Sequence, residues 1–153
     1  MATFKKILIL TIVSFLAVSS QAQLNPVTWS FSAVKTSDKM YEVHMKATIQ
    51  DGWHLYSQKQ PADAIAIPTE FVVNPNPLFS LEGKVKEVGK MEVMNDKELG
   101  VSANQYAVTV DFVQKIKLKS NVKTSFNGTV EYQTCDDKKC LPAKKVNFSI
   151  AIK

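Results

Sequence analysis

The chain has 153 residues, 45% hydrophobic and 22% charged, a composition that argues against a disordered, collagenous or coiled-coil protein. All 19 basic residues are lysine, and two cysteines and two histidines are the whole stock of thiol and imidazole groups. Without arginine forks, nucleic-acid and phosphate recognition are poorly served, and a single tetrahedral metal site would consume every Cys and His present. The formal charge of +5 is spread over scattered lysines, which read as solvated strand edges rather than a binding patch.

Residues 1–22 have the parts of a secretory signal peptide. Lys5 and Lys6 supply the positive start, Ile7 to Val18 form an apolar stretch interrupted only by Thr11 and Ser14, and Ser20-Gln21-Ala22 offers small residues for cleavage. At about 12 residues the stretch is short of the roughly 20 that span a bilayer. Cleavage near Ala22 is therefore expected, with residues 23–153 exported as one domain and no membrane insertion afterwards. Neither cysteine lies near the cleavage point, so a lipid anchor is not indicated. Export would place Cys135 and Cys140 where a disulfide can form and persist.

From Val27 the dominant period is two. Val27, Trp29, Phe31 and Ala33 alternate with Thr28, Ser30 and Ser32; Tyr41, Val43, Met45, Ala47 and Ile49 alternate with polar partners. Both segments are predicted to be half-buried strands. Shorter strand candidates follow at Thr69–Val73, Leu78–Val88 and Lys115–Leu118. Stronger alternation marks Tyr106, Val108, Val110 and Phe112, then Val130 and Tyr132, then Val146, Phe148, Ile150 and Ile152. One short helical turn is expected near Ala62 to Ala66. Seven to nine short strands separated by Pro, Asn, Asp and Gly imply an all-β fold, an immunoglobulin-like antiparallel β-sandwich, with a closed barrel as the alternative. Asn127-Gly128 fits either a two-residue hairpin turn or a glycine bulge.

Cys135 and Cys140 bracket four charged residues, Asp136 to Lys139, between two strand-like segments. Facing positions of an antiparallel pair lie close enough for a disulfide. A ring of about six residues gains only roughly 2 kcal/mol from closure, against more than about 4 for a ring of a hundred, so a staple here would do little. A charged, proline-bounded turn also leaves a sulfur within reach of a visiting thiolate. Lys138 and Lys139 favour a thiolate at Cys140, while Asp136 and Asp137 disfavour one nearer Cys135, which makes Cys140 the candidate nucleophile. Cys-x4-Cys remains a weak motif by itself, and a plain structural disulfide fits the spacing equally. Zinc is disfavoured, because it would need His44 and His54, and His44 falls on the polar face of its strand.

Tyr132-Gln133-Thr134-Cys135, the charged turn and Cys140-Leu141-Pro142, with Asp51-Gly52-Trp53-His54-Leu55-Tyr56 upstream, resemble the N-terminal periplasmic domain of the thiol:disulfide interchange protein DsbD. The resemblance runs from about Pro26 to Ile152 and keeps both motifs in order. It implies an immunoglobulin-like domain with a redox Cys pair on a hairpin. Such a domain takes electrons from a thioredoxin-like donor domain or membrane thiol transporter and passes them to exported thiol proteins in the periplasm. It implies further that Cys140 forms the mixed disulfide and Cys135 resolves it, with no cofactor. Asp96-Lys97-Glu98-Leu99-Gly100 corresponds to a cap over the cysteines, with Asp96 and Glu98 as its acids and Leu99 in place of an aromatic. His54 and Tyr56 fall at aromatic positions beside the site, His54 departing from the more usual Tyr; packing at a strand end is their plainer use. Ala143 stands where a second proline often follows. As the chain ends at Lys153, the donor is expected on another polypeptide.

The leading reading is thus a protein-disulfide reductase type of exchange protein. A secreted binding module with a purely structural disulfide is the rival. The accessibility of the Cys140 sulfur separates the two. A hydrolase has little support, since neither a nucleophile elbow nor metal-ligand spacing occurs.

Overall fold

A computed structural model describes residues 24–97 and 100–153. The expected leader, residues 1–22, and the expected cap residues Glu98 and Leu99 lie outside the described residues.

The described residues form nine strands: β1 (Val27–Ser37), β2 (Met40–Ile49), β3 (His54–Tyr56), β4 (Glu70–Val73), β5 (Phe79–Asp96), β6 (Val101–Leu118), β7 (Thr124–Tyr132), β8 (Thr134–Cys135) and β9 (Lys144–Ile152). The larger sheet runs β1-β2-β6-β3-β8, with β5 on the other edge of β6; the smaller runs β4-β7-β9. Every pairing is antiparallel. Two separate sheets make the expected immunoglobulin-like sandwich rather than a closed barrel.

Alternation explains the core. In β2 every apolar residue from Tyr41 to Ile49 is buried, and the intervening Glu42, His44, Lys46 and Thr48 are not. Phe126, Val130 and Tyr132 of β7 and Phe148, Ile150 and Ile152 of β9 face it from the smaller sheet. Phe126 stacks on Phe148 with ring centroids 5.8 Å apart, and Phe71 meets Phe112 at 5.0 Å. Burying each such side chain contributes roughly 1.5–3 kcal/mol.

Several expectations need correction. Ala62 to Ala66 contains a turn in which the Ala64 amide donates to the Pro61 carbonyl at 3.2 Å, and no helical turn. The strand expected at Leu78–Val88 starts at Phe79 and is part of β5, and Lys115–Leu118 is part of β6, each strand 18 residues long. Their pairing shifts between Glu82 and Lys86 and again between Gly89 and Met91. At the second shift Val108 takes φ 66° and is 71% exposed, so it leaves the inward row that Tyr106, Val110 and Phe112 keep. Asn127-Gly128 is neither turn nor bulge. Both residues lie in regular register within β7, opposite Ser149 and Phe148. Glycine is required there by proximity, because a Cβ would stand 2.3 Å from the Val72 carbonyl oxygen and 2.7 Å from the Phe148 ring.

Candidate functional site

The cysteine hairpin grows from the end of β7. After Gln133 the chain extends the larger sheet: Thr134 and Cys135 pair with Leu55 and His54 of β3, and Cys140 pairs with Cys135 from the far side. A disulfide joins Cys135 to Cys140, with their Cα atoms 4.0 Å apart. The Leu141 amide donates to the Thr134 carbonyl and the Asp136 amide to the Lys139 carbonyl, each at 2.9 Å. Asp136 closes the tip, its carboxylate accepting from the amides of Lys138 at 2.8 Å and Lys139 at 2.7 Å. These amides, that of Lys138 foremost, hold its carboxyl below the ordinary carboxylate range. At the hairpin base Gln133 donates to the Leu141 carbonyl at 3.2 Å and accepts from the Ile67 amide at 3.3 Å.

Strand alternation sorts the neighbouring side chains. Leu55, Tyr106 and Thr134 form one cross-strand row and are buried. His54 and Cys135 form the next row, on the opposite face of the sheet, and Tyr56 lies on that same face two residues along β3. Cys135 is 4% exposed and packs with Tyr56 and Ala103 in a small apolar cluster supported by Ala66 and Met94. Cys140 is exposed.

Tyr56, Asp96, Cys135 and Cys140 share a groove of about 400 Å³ with Ile65, Ala66, Met94 and Ala103, and Lys138 and Lys139 stand on its hairpin side. Burial pushes the Tyr56 phenol up from its ordinary value, so it remains protonated at neutral pH. His54 is half-buried and lines the adjoining groove of about 460 Å³ with Asp51, Gly52, Trp53, Val108 and Asp137. Gly52, at φ 76°, makes the turn that feeds β3. His44 is not part of this arrangement: its Nδ1 pairs with the Asp111 carboxylate at 2.8 Å in a different groove. Among the described residues no group of three or more His, Cys, Asp or Glu side chains is placed to hold a metal ion.

Ile65, Ala66 and Glu87 escape sequence reasoning. Ile65 and Ala66 reach the groove from the loop after β3, and the only local hint is an apolar run between Pro61 and Pro68. Glu87 has no local signal at all. Its carboxylate accepts from the Ser57 hydroxyl at 2.7 Å, the Gln58 amide at 2.7 Å, the Gln58 side chain at 3.1 Å and the Tyr106 hydroxyl at 2.6 Å. Burial by itself would push the Glu87 carboxyl up, but these bonds, led by that of Tyr106, outweigh it and hold the group below its ordinary value. They tie the loop after β3 to β5 and β6. Gln60 extends the tie, its side chain donating to the Asn104 carbonyl at 2.7 Å and accepting from the Asn104 amide at 3.1 Å.

Solved structures share the fold. The solved N-terminal domain of DsbD from Neisseria meningitidis, in its reduced form, is similar at 20% identity and a TM-score of 0.55, over 84% of this chain and 90% of that one. The N-terminal periplasmic domain of ScsB from Proteus mirabilis matches at 15% identity and a TM-score of 0.49, over 82% of this chain and 44% of that one. The complex between the DsbD and PilB N-terminal domains of Neisseria meningitidis provides a further match at 17% identity and a TM-score of 0.48, over 84% of this chain and 87% of that one. No curated protein matches the chain significantly. The family model described as "Thiol:disulfide interchange protein DsbD, N-terminal" matches residues 21–151, and the chain belongs to that family.

Proposed function

We propose that this chain is a periplasmic thiol-disulfide exchange protein of the protein-disulfide reductase type. It relays reducing equivalents from a thioredoxin-like donor domain or membrane thiol transporter to exported thiol proteins. Residues 23–153 act as one domain after the leader is cleaved near Ala22. Family membership supports the chemistry, and one observation carries the assignment of roles: Cys140 is exposed while Cys135 is 4% exposed beneath it.

In the reduced state the Cys140 thiolate attacks a partner disulfide, forming a mixed disulfide and releasing the first partner sulfur as a thiolate. Cys135 then attacks the Cys140 sulfur. The Cys135–Cys140 bond forms, the second partner sulfur departs with the electron pair, and the pair has lost two electrons to the partner. Recharging runs the other way, with a donor thiolate attacking Cys140 and Cys135 leaving. Exchange of this kind needs no cofactor. Lys138 and Lys139 favour the attacking thiolate, and Asp96, Glu98 and Leu99 are assigned to the cap and Tyr56 to the wall of the site.

In a Cys135→Ala variant a partner should be trapped through Cys140 as a covalent adduct, seen on a non-reducing gel and by mass spectrometry, while Cys140→Ala should trap none. Equal trapping by both variants, or by neither, overturns the assignment.

A further inference from the structure

The sulfur that must leave or attack from the inside poses a chemical difficulty. Cys135 is 4% exposed in an apolar cluster, and burial disfavours the thiolate that each half-reaction requires of it. A group that takes or gives a proton at that sulfur would remove the difficulty.

The groups around it are few. On the groove side stand Tyr56, Asp96, Asp136, Lys138 and Lys139. The Tyr56 phenol, raised by burial, is a poor proton acceptor at neutral pH. Asp136 is engaged with the tip amides. On the other side the antiparallel register sets His54 directly opposite Cys135, on the same face of the sheet, just as Cys140 is from the far strand. Directly opposed residues of such a pair have Cβ atoms roughly 4.5–5.5 Å apart. His54 therefore stands next to Cys135 across the strand pair, while its own surroundings in the adjoining groove include Asp51 from its turn and Asp137 from the hairpin, with β6 supplying only Ala107 and Val108.

We infer that His54 is the proton acceptor and donor for Cys135. The inference rests on the exchange reading above. During resolution the neutral imidazole takes the Cys135 thiol proton, the resulting thiolate displaces the partner from Cys140, and the partner sulfur leaves with the electron pair. During recharging the imidazolium returns that proton to Cys135 as the Cys135–Cys140 bond breaks toward it. A neutral imidazole accepts a proton and an imidazolium donates one, so a single side chain can serve both directions.

Oxidised glutathione is the probe. Reduced protein is mixed with it, samples are quenched in acid, and mass spectrometry follows the Cys140–glutathione adduct as it forms and is replaced by the internal disulfide, with two glutathione thiols released in all. Resolution in the unaltered chain should rise with pH and level off after a single inflection, as expected where one general base takes the proton. In His54→Gln and His54→Phe the adduct should form at the same rate. Its resolution at pH 7 should be about tenfold slower and should keep rising beyond the pH at which the unaltered chain levels off. Two variants of different shape, with unfolding midpoints checked, separate proton transfer from packing. An inflection that survives both His54 variants, or one that disappears instead in Asp96→Asn, overturns the inference. Failure of the reduced, unaltered chain to form either the adduct or the internal disulfide with oxidised glutathione overturns the exchange reading itself, a different result.

Discussion

Gly128 shows how crowding rather than backbone preference can select a residue. It sits where β4, β7 and the Phe148 ring converge, and an added methyl has no space on either side. Gly128→Ala should destabilise the protein by about 1–3 kcal/mol through overpacking, read as a lower urea midpoint with an unchanged slope. The Asn-Gly pair advertises a turn because its signature is local, and the neighbours that determine its real role come from residues 72 and 148. Asp136 teaches a related lesson. Its charge was legible beside Cys135, but its hydrogen bonds to the tip amides depend on the turn's shape. Both cysteines and His54 were legible as residues; the exposure difference between the sulfurs and the pairing of His54 with Cys135 depend on β8 docking against β3.

Among the strands, the long regular ones were legible. β2 and β9 keep one face inward throughout, so alternation alone marks them. β5 and β6 were read as fragments for a different reason: β6 keeps one inward row from Tyr106 to Leu118, but the exposed Val108 and the buried polar Gln114 interrupt its apolar pattern, and β5 is mostly exposed. β3 and β8, three and two residues long, are too short for any period, although they carry the site. What fixes the loop after β3 is the half-buried Glu87 carboxylate. Glu87→Ala should cost about 1–2 kcal/mol, since Tyr106, Ser57 and Gln58 lose a shared acceptor at a partly solvated position, and Glu87→Gln should cost less. Because the folded carboxyl lies below its ordinary value, its contribution is full above the ordinary carboxylate range and fades as pH falls through the lowered value. The gap in urea midpoint between the unaltered chain and Glu87→Gln should therefore hold at pH 7 and close toward pH 3. A gap that widens in acid would contradict the network.

For the whole molecule, the main core contains neither cysteine, and Cys135 belongs to a separate small cluster. The disulfide closes a short loop, worth roughly 2 kcal/mol. Reduction should leave the far-ultraviolet circular dichroism unchanged and lower the melting temperature by only about 5–10 °C. Collapse of the fold on reduction would assign the bond to architecture instead of exchange. The sandwich was legible from the number and spacing of strands, whereas the allocation of strands between the sheets follows from long-range pairing that no short window contains. The unequal placement of the two sulfurs has a last consequence. Under the proposed exchange, a molecule arriving for barter would find a single address on the surface, so every bond it made would begin at the same residue. The means of its departure would already be waiting behind it, and no encounter need end in a dead adduct.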